Sequence, residues 1–247
     1  ANFWSFGASW VINEEPFFPT WRPLSLLKLR GSWGQNGNDR IGTFLYESTV
    51  DFNIAYNMAN GAILGAIPAF LENQDIRWES SEQLDIGLET GFFQNKLTAT
   101  FDYYKKTTKD LLQNVTAVSS LGQDLRVANV GEMVNEGFEI TMEWRENKGD
   151  FGYSIGANAT YNQNTMTQVA NEAGFISGAS WALSGEVTRT YEGHPVVSFY
   201  GFKTDGIFQN QSEVFSHISN EGDVLQPNAQ PGDIRYVDVD GDGVISD

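Results

Sequence analysis

The sequence of 247 residues predicts an all-β protein, and within that class a part of a large antiparallel transmembrane β-barrel with long extracellular loops. Apolar and polar residues alternate with period two in segment after segment, and each segment is roughly as long as the 9–11 residues of a tilted membrane strand. Short and long connections also alternate, and aromatic residues gather beside the short ones, as they do at a membrane interface.

Six strands are predicted, the first two rich in aromatic residues and the next four with clean alternation, near residues 3–12, 26–35, 83–92, 97–105, 138–145 and 153–162. In the third strand, Leu84 and Ile86 would share one face and Asp85 the other. We expect the apolar face to meet lipid and the polar face to meet a water-filled lumen. Acidic residues such as Asp85, Glu139 and Glu143 would then be wettable lining of the lumen.

The connections set the direction of the predicted strands. Short turns at residues 94–96 and 146–150 would face the periplasm. Longer connections, at residues 35–77, at 107–137 and after 163, would face outward. This arrangement is typical of outer-membrane barrels, which have short periplasmic turns and long outer loops.

The chain is therefore divided into residues 1–162, barrel strands with their turns and loops, and residues 163–247, a long extracellular loop region that ends in a truncated calcium-like acidic loop. The link 13–23 contains several prolines and is longer than usual for a periplasmic turn. Further strands are expected, because even small barrels need about eight and lipid does not tolerate an open sheet edge. Alternation alone would also fit a soluble β-sandwich, with one face on a core and one in water.

Composition excludes several classes of function. Lys and Arg number 15 against 32 Asp and Glu, and the resulting net charge of -17 would repel a phosphate backbone, so no nucleic-acid partner is expected. The chain has no cysteine, which excludes disulfides, thiolate zinc sites and thiol nucleophiles. No segment has the roughly 18 continuous apolar residues of a membrane helix.

The C-terminal segment crowds acidic oxygens around a sharp turn. Asp238, Asp240 and Asp242 fall on the first, third and fifth positions of a calcium-binding loop, and a glycine follows at the turn position. The backbone carbonyl of Val244 would be the next ligand, and Ser246 would reach the metal through water. The bidentate acid of such a loop would lie beyond the last residue. The spacing predicts a Ca²⁺ site, and a solvated acidic turn is the alternative.

No catalytic constellation is recognisable, so we expect no enzyme. The two histidines, His194 and His217, lie in no metal or triad pattern, and no nucleophile elbow or phosphate loop is present. Four aromatic residues of the last loop could stack on sugars, anchor a lid protein or pack within the loop: Trp181, Tyr191, Phe199 and Tyr200.

Six phrases stand in order along the chain. Four of them are LKLRGSWGQNGN from residue 27, NQDIRWE from residue 73, DYYKKTTKDLL from residue 102 and NVGEMVNEGFE from residue 129. The other two lie within residues 192–208 and 231–247. Together they resemble one family, the SusC/RagA-type TonB-dependent transporters of Gram-negative outer membranes, chiefly in Bacteroidota. Glu136 stands where the family usually has Lys.

The resemblance implies a complete barrel of about 22 strands with a plug domain, of which this chain would be a middle-to-late stretch. It implies TonB-dependent import of oligosaccharides or peptides, captured under a SusD-type surface lipoprotein lid. The expected partners are that lipoprotein, TonB, outer-membrane lipid and the cargo, and the expected location is the cell outer membrane of a Gram-negative bacterium. The first alternative at this point is a secreted calcium-dependent carbohydrate-binding β-sandwich module. The second is a glycan-active enzyme with acidic residues in a cleft.

Overall fold

The fold was determined as a computed structural model, which describes residues 2–39, 46–48, 50–58, 61–69, 72–115, 125–171, 173–181 and 185–245. The chain divides into two compact units. The first comprises Ala1–Phe175 with Tyr191–Val196, and the second comprises Ile176–Thr190 with Val197–Asp247.

The first unit is built on an antiparallel sheet in which each strand lies beside the next sheet strand of the chain. The unit contains β1 (Ser5–Val11), β2 (Leu24–Asn38), β3 (Val50–Met58), β4 (Gly61–Pro68), β5 (Glu79–Phe92), β6 (Leu97–Val115), β7 (Leu125–Lys148) and β8 (Phe151–Val169). The sheet has the order β1-β2-β5-β6-β7-β8, and β3 pairs with β4 in a separate hairpin. The prediction of an all-β antiparallel fold is confirmed.

β1 lies within its predicted bounds, but the other five sheet strands run past theirs. β6 and β7 have 19 and 24 residues, so the long connection predicted over residues 107–137 is wrong for much of its length. The strand pairing shifts between Thr108 and Leu111, where Asp110 has a left-handed backbone with φ of 56°. A bulge of this kind moves the following side chains to the other face and breaks the period-two pattern on which the prediction rested.

Two other predicted connections also contain strands. The connection at residues 35–77 includes the β3–β4 hairpin. β8 continues to Val169, so residue 162 lies inside a strand. The division of the chain into residues 1–162 and 163–247 stays a prediction.

The short turns are tight and one of them is braced by a neighbouring strand. Phe93, Gln94 and Asn95, between β5 and β6, all have left-handed backbones with φ of 55°, 59° and 63°. The Ser25 hydroxyl of β2 accepts the N–H groups of Gln94 at 2.8 Å and Asn95 at 3.3 Å. Between β7 and β8 the left-handed position is taken by Gly149, at φ of 63°, which needs no such brace.

The proline-containing link between β1 and β2 is anchored by side chains. A 3-10 turn (Ile12–Glu14) follows β1. Asn13 accepts the backbone N–H of Leu27 at 2.6 Å, and the Trp10 indole N–H donates to Glu15 at 2.8 Å. These bonds fasten a link longer than the usual periplasmic turn to the start of β2.

The remaining strands are short: β9 (Phe175–Ser177), β10 (Ser180–Trp181), β11 (Gly185–Glu186), β12 (Thr188–Tyr191), β13 (Ser198–Phe199), β14 (Thr204–Ile207) and β15 (Ile234–Tyr236). The second unit also has a helix, α1 (Gln211–Ser216), whose N-cap Asn210 accepts the N–H of Glu213 at 3.0 Å. Phe208 and Val214 are fully buried in this unit. None of the helices in the described ranges is long and apolar enough to cross a membrane.

Asn129 on β7 clips the segment before β5 to the extended part of the sheet. Its amide N–H groups donate to the carbonyls of Arg77 at 2.9 Å and Asp110 at 2.7 Å, and its oxygen accepts the N–H of Arg77 at 2.8 Å. Asn73 adds a bond to the Val127 carbonyl at 3.0 Å. One side chain therefore satisfies three backbone groups that have no partner in the regular strand pairing.

We predict that Asn129→Ala loosens this clip by roughly 1–3 kcal/mol, because it leaves those backbone groups without their partner. In the full-length protein in detergent, hydrogen exchange of peptides spanning residues 73–79 and 125–131 should become faster. Asn228→Ala, at an exposed position of the second unit, is the control. Unchanged exchange in the Asn129 variant would contradict the role of the clip.

Candidate functional site

The register of the sheet gathers apolar side chains onto one face. Trp10 pairs with Leu29, Leu29 with Leu88, Leu88 with Phe101, and Phe101 with Ile140. Because side chains alternate between faces with period two, the rows two positions away repeat the apolar pattern. The other members of this face include Phe6, Ala8, Leu27, Trp33, Leu84, Ile86, Ala99, Tyr103, Phe138, Met142, Trp144, Ile155, Ala157, Ala159 and Tyr161.

This apolar face is uncovered. Ile86 is 45% exposed, Phe138 39% and Ile155 66%. Across the part of the chain that the structure describes, these side chains stay exposed instead of packing on a second sheet, so the β-sandwich alternative is wrong. Leaving a large apolar side chain fully exposed to water costs about 1.5–3 kcal/mol relative to burying it, and contact with hydrocarbon removes that cost. The face meets lipid.

Aromatic rings mark the end of the apolar face beside the short turns. Trp21 lies edge-on to Phe92 at 6.1 Å between ring centroids, and Phe93 lies 6.2 Å from Trp144. Rings of this kind favour the interface between hydrocarbon and water. The predicted gathering of aromatic residues beside the short turns is confirmed, and these rings form a girdle at that end of the strands.

The opposite face of the sheet carries a row of charges. The carboxylate of Glu89 lies 3.3 Å from Lys28 Nζ and 3.1 Å from Arg30 Nε, and the Arg30 guanidinium lies 2.6 Å from Asp102. Gly87 leaves room for this crossing, because a Cβ there would come within 2.7 Å of Arg30 Nε. Each partly exposed pair contributes only about 0–1 kcal/mol. Their main effect is to fix charged groups on the lumen side.

The acids predicted to line the lumen lie on this polar face. Asp85 accepts a hydrogen bond from the Gln83 amide at 2.9 Å. Glu139 is directly opposite Asp102 in the β6–β7 register. Like charges facing each other across strands are unfavourable, and Arg30 offsets this at Asp102. The lumen wall is therefore wet and holds charges of both signs.

Two of the four aromatic candidates are exposed and two are packed. Phe199 is 96% exposed and Trp181 is 72% exposed, so both rings are open to a ligand or a partner. Tyr191 instead meets the His194 ring edge-on at 5.5 Å. Tyr200 is half-buried. The predicted aromatic set is thus split between exposed rings and half-buried rings.

An ion pair explains the packing of Tyr200. The Arg189 guanidinium lies 3.6 Å from the centroid of the Tyr200 ring, and Arg189 Nε lies 2.7 Å from the Glu186 carboxylate. Burial raises the pKa of the Glu186 carboxyl, but hydrogen bonds from Arg189 and other donors lower that pKa by a larger amount. The pKa of Glu186 therefore lies below its ordinary value. Glu186 is charged at neutral pH and holds the arginine over the ring.

The three acidic side chains of the C-terminal loop come together. One carboxylate oxygen of each of Asp238, Asp240 and Asp242 lies within 4.8 Å of the others. Asp238 accepts the N–H of Gly241 at 2.8 Å and of Gly243 at 3.0 Å. Both glycines have left-handed backbones, with φ of 78° and 87°, which suit a residue without a side chain.

The rest of the predicted metal loop is described only in part. The Val244 N–H donates to Asp242 at 2.8 Å, and Ser246 lies outside the described residues. Asn220, which the spacing could not reveal, donates to the Gly241 carbonyl at 3.4 Å and closes the loop from another part of the unit.

Asp238 is held in its charged form. Burial raises the pKa of its carboxyl, but the N–H donors of Gly243 and Gly241 lower it more, so the pKa lies below its ordinary value. Three oxygen ligands clustered in this way are the donor set that a hard cation such as Ca²⁺ prefers.

An uncovered apolar face, a charged opposite face and an aromatic girdle define this chain as a stretch of an outer-membrane β-barrel. Comparison with known proteins specifies the family. Residues 1–236 match the profile of TonB dependent receptor-like β-barrels, and the chain belongs to that family.

Relatives and solved structures agree with this assignment. The chain is 33% identical over 229 residues to TonB-dependent receptor P39 of Formosa agariphila, a match that covers 92% of this chain and 21% of the relative. It is 25% identical over 251 residues to SusC of Bacteroides thetaiotaomicron, covering 99% of this chain and 24% of SusC. A structure of the RagAB peptide transporter matches with a TM-score of 0.67 and 28% identity, over 84% of this chain and 22% of that one. The chain spans under a quarter of the length of these relatives.

We predict that Ile140→Arg strongly reduces the folded, heat-modifiable protein recovered from outer membranes. Arginine near the middle of the lipid face should destabilise the barrel by about 2–4 kcal/mol. Thr141→Arg is the matched control, since its side chain points to the wet lumen on the same strand. Equal recovery of the two variants would contradict the assignment of the faces.

Proposed function

We propose that this chain forms part of the barrel of a TonB-dependent importer that carries oligosaccharides or peptides across the outer membrane of a Gram-negative bacterium of the Bacteroidota. The observation that carries the proposal is the register, which sends apolar side chains to one face and charges to the other in a chain of this family. Similarity to SusC and to a peptide transporter supports a nutrient as cargo.

The proposed partners follow from the same family. A SusD-type surface lipoprotein would cover the outer opening, and TonB would act through a part of the protein outside this chain. The exposed rings of Trp181 and Phe199 are suited to stack on a sugar or to anchor the lid protein. Tyr191 and Tyr200 would support the loop from within, because their rings are already in contact with His194 and Arg189. The protein is expected to have no catalytic activity of its own.

The acidic C-terminal loop is proposed to bind Ca²⁺. Asp238, Asp240 and Asp242 would supply side-chain oxygens, Val244 a backbone carbonyl and Ser246 a water-mediated contact. The clustered carboxylates and the glycine turn support this assignment. A bound cation would offset the repulsion among the acids and stiffen this loop.

Uptake tests the importer directly. A strain lacking the gene should fail to take up one class of oligosaccharide or peptide in a broad panel, while its extracellular hydrolysis continues. Complementation with Trp181→Ala and Phe199→Ala should restore uptake less fully than wild type if the exposed rings contact cargo or lid. Normal uptake of the whole panel by the deletion strain would contradict the transporter assignment.

Calcium dependence is tested by limited proteolysis of the full-length protein. Wild type in Ca²⁺ should resist cleavage in the acidic loop at residues 238–247, and EDTA should remove that resistance, because the acids would again repel one another. A variant with Asp240→Asn and Asp242→Asn should be cleaved equally with and without Ca²⁺. Glu221→Gln with Asp223→Asn removes the same charge nearby and should behave as wild type. A wild-type digestion pattern indifferent to EDTA and Ca²⁺ would rule out the metal site.

A further inference from the structure

Among the residues that the structure describes, β8 has a strand partner on one edge only. β8 pairs with β7 through residues 151–169, and its other edge is the end of the sheet. Residues 151–163 are almost all exposed, whereas residues 164–166 are not. The exposure therefore drops over residues 164–166 and returns at residues 167 and 168, while the strand continues to Val169.

A segment from later in the chain covers the edge at that point. We name Tyr191–Val196, which lies in the same unit as β8, the stop segment. The Met166 N–H donates to the His194 carbonyl at 2.9 Å, and the Gly193 N–H donates to the Met166 carbonyl at 2.8 Å. The Val196 N–H donates to the Asn164 side chain at 2.9 Å. Both backbone groups of Met166 on the open edge are thus occupied.

The stop segment is held firmly and cannot be extended as a strand. Gly193 has a left-handed backbone, with φ of 82°. Pro195 has no N–H and cannot continue a ladder of hydrogen bonds along β8. Asn164, which receives Val196, is itself fixed by a bond from its amide to Asn135 at 2.7 Å.

The buried side chain of Met166 adds to this anchoring. Met166 is 1% exposed, and it packs where Gly131 of β7 leaves space, since a Cβ at Gly131 would overlap the Met166 methyl group. The strand position that carries the stop segment is therefore packed as well as hydrogen-bonded.

We propose that the stop segment ends the pairing between β8 and the next strand of the barrel. The occupant of the open edge is an antiparallel strand of the same barrel, with apolar residues facing lipid and polar residues facing the lumen. It pairs with β8 from residue 151 to about residue 164 and no further. This inference rests on the proposed function, because only a barrel supplies that strand.

Strand geometry says which amides report on this pairing. Met166 points its N–H away from β7, and alternation along a strand makes the N–H groups of residues 152, 154, 156, 158, 160 and 162 point the same way. These even-numbered amides should be protected by the next strand, whereas Met166 should be protected by the stop segment.

The test is residue-level hydrogen exchange on the full-length protein in detergent, together with an experimental structure of it. Replacing Gly193-His194-Pro195 by Gly-Ser-Gly, or Asn164 by Ala, should speed exchange of the Met166 amide by about tenfold while leaving residues 152–162 protected. Asn158→Ala, on the same strand and the same face, should leave Met166 unchanged. Protection of Met166 that neither variant alters would overturn the proposal.

The two proposals fail in different ways. The protein could fractionate with the outer membrane and shift on unheated gels, yet pair Met166 with the next strand. That result would contradict only the proposal that the stop segment ends the pairing of β8. Absence of the protein from the outer-membrane fraction, with no shift on unheated gels, would contradict the proposed function and, with it, the role of the stop segment. Pairing that ends near residue 164 in a protein that passes both supports the stop.

Discussion

The structure depends on the register of one sheet. In hydrocarbon a backbone N–H or C=O has no partner except the neighbouring strand, so the strands must pair along their whole membrane length. A slip of one residue between any two strands would turn every apolar side chain of one strand to the lumen. The row from Trp10 through Leu29 and Leu88 to Ile140 shows that the register is in phase across the sheet. The lipid face, the charged lumen wall and the aromatic girdle all follow from that one alignment.

The sequence was sufficient for the features that repeat with a fixed period. Alternation found the six sheet strands, and ordered motifs found the family. It was insufficient where the period breaks or where partners are distant. The bulge at Asp110 breaks the period-two pattern, so the extended ends of β6 and β7 were missed. The contact between Arg30 and Asp102 joins residues 72 positions apart, which no local pattern reveals. Nor could it separate the exposed ring of Phe199 from the packed ring of Tyr200, because exposure depends on which neighbour fills the space.

In the loops and at the extended ends of the strands, side chains hold much of the backbone. Water can satisfy a backbone group there, so the loops need no continuous ladder and use side chains as local partners. Asn129 serves three backbone groups near the extended part of the sheet. Asn210 caps a short helix, and Asp238 gathers two glycine N–H groups in the acidic loop. Asparagine and aspartate recur in these roles because their short side chains reach nearby backbone without much loss of rotamer freedom.

The brace on the β5–β6 turn bears on how the sheet comes together. Three consecutive non-glycine residues with left-handed backbones are unfavourable by about 1–2 kcal/mol each. The hydroxyl that stabilises them belongs to Ser25, 69 positions before Gln94. The β5–β6 hairpin on its own lacks that acceptor, so its turn is less stable before β2 pairs with β5. Pairing of β2 with β5 therefore stabilises the turn that joins β5 to β6.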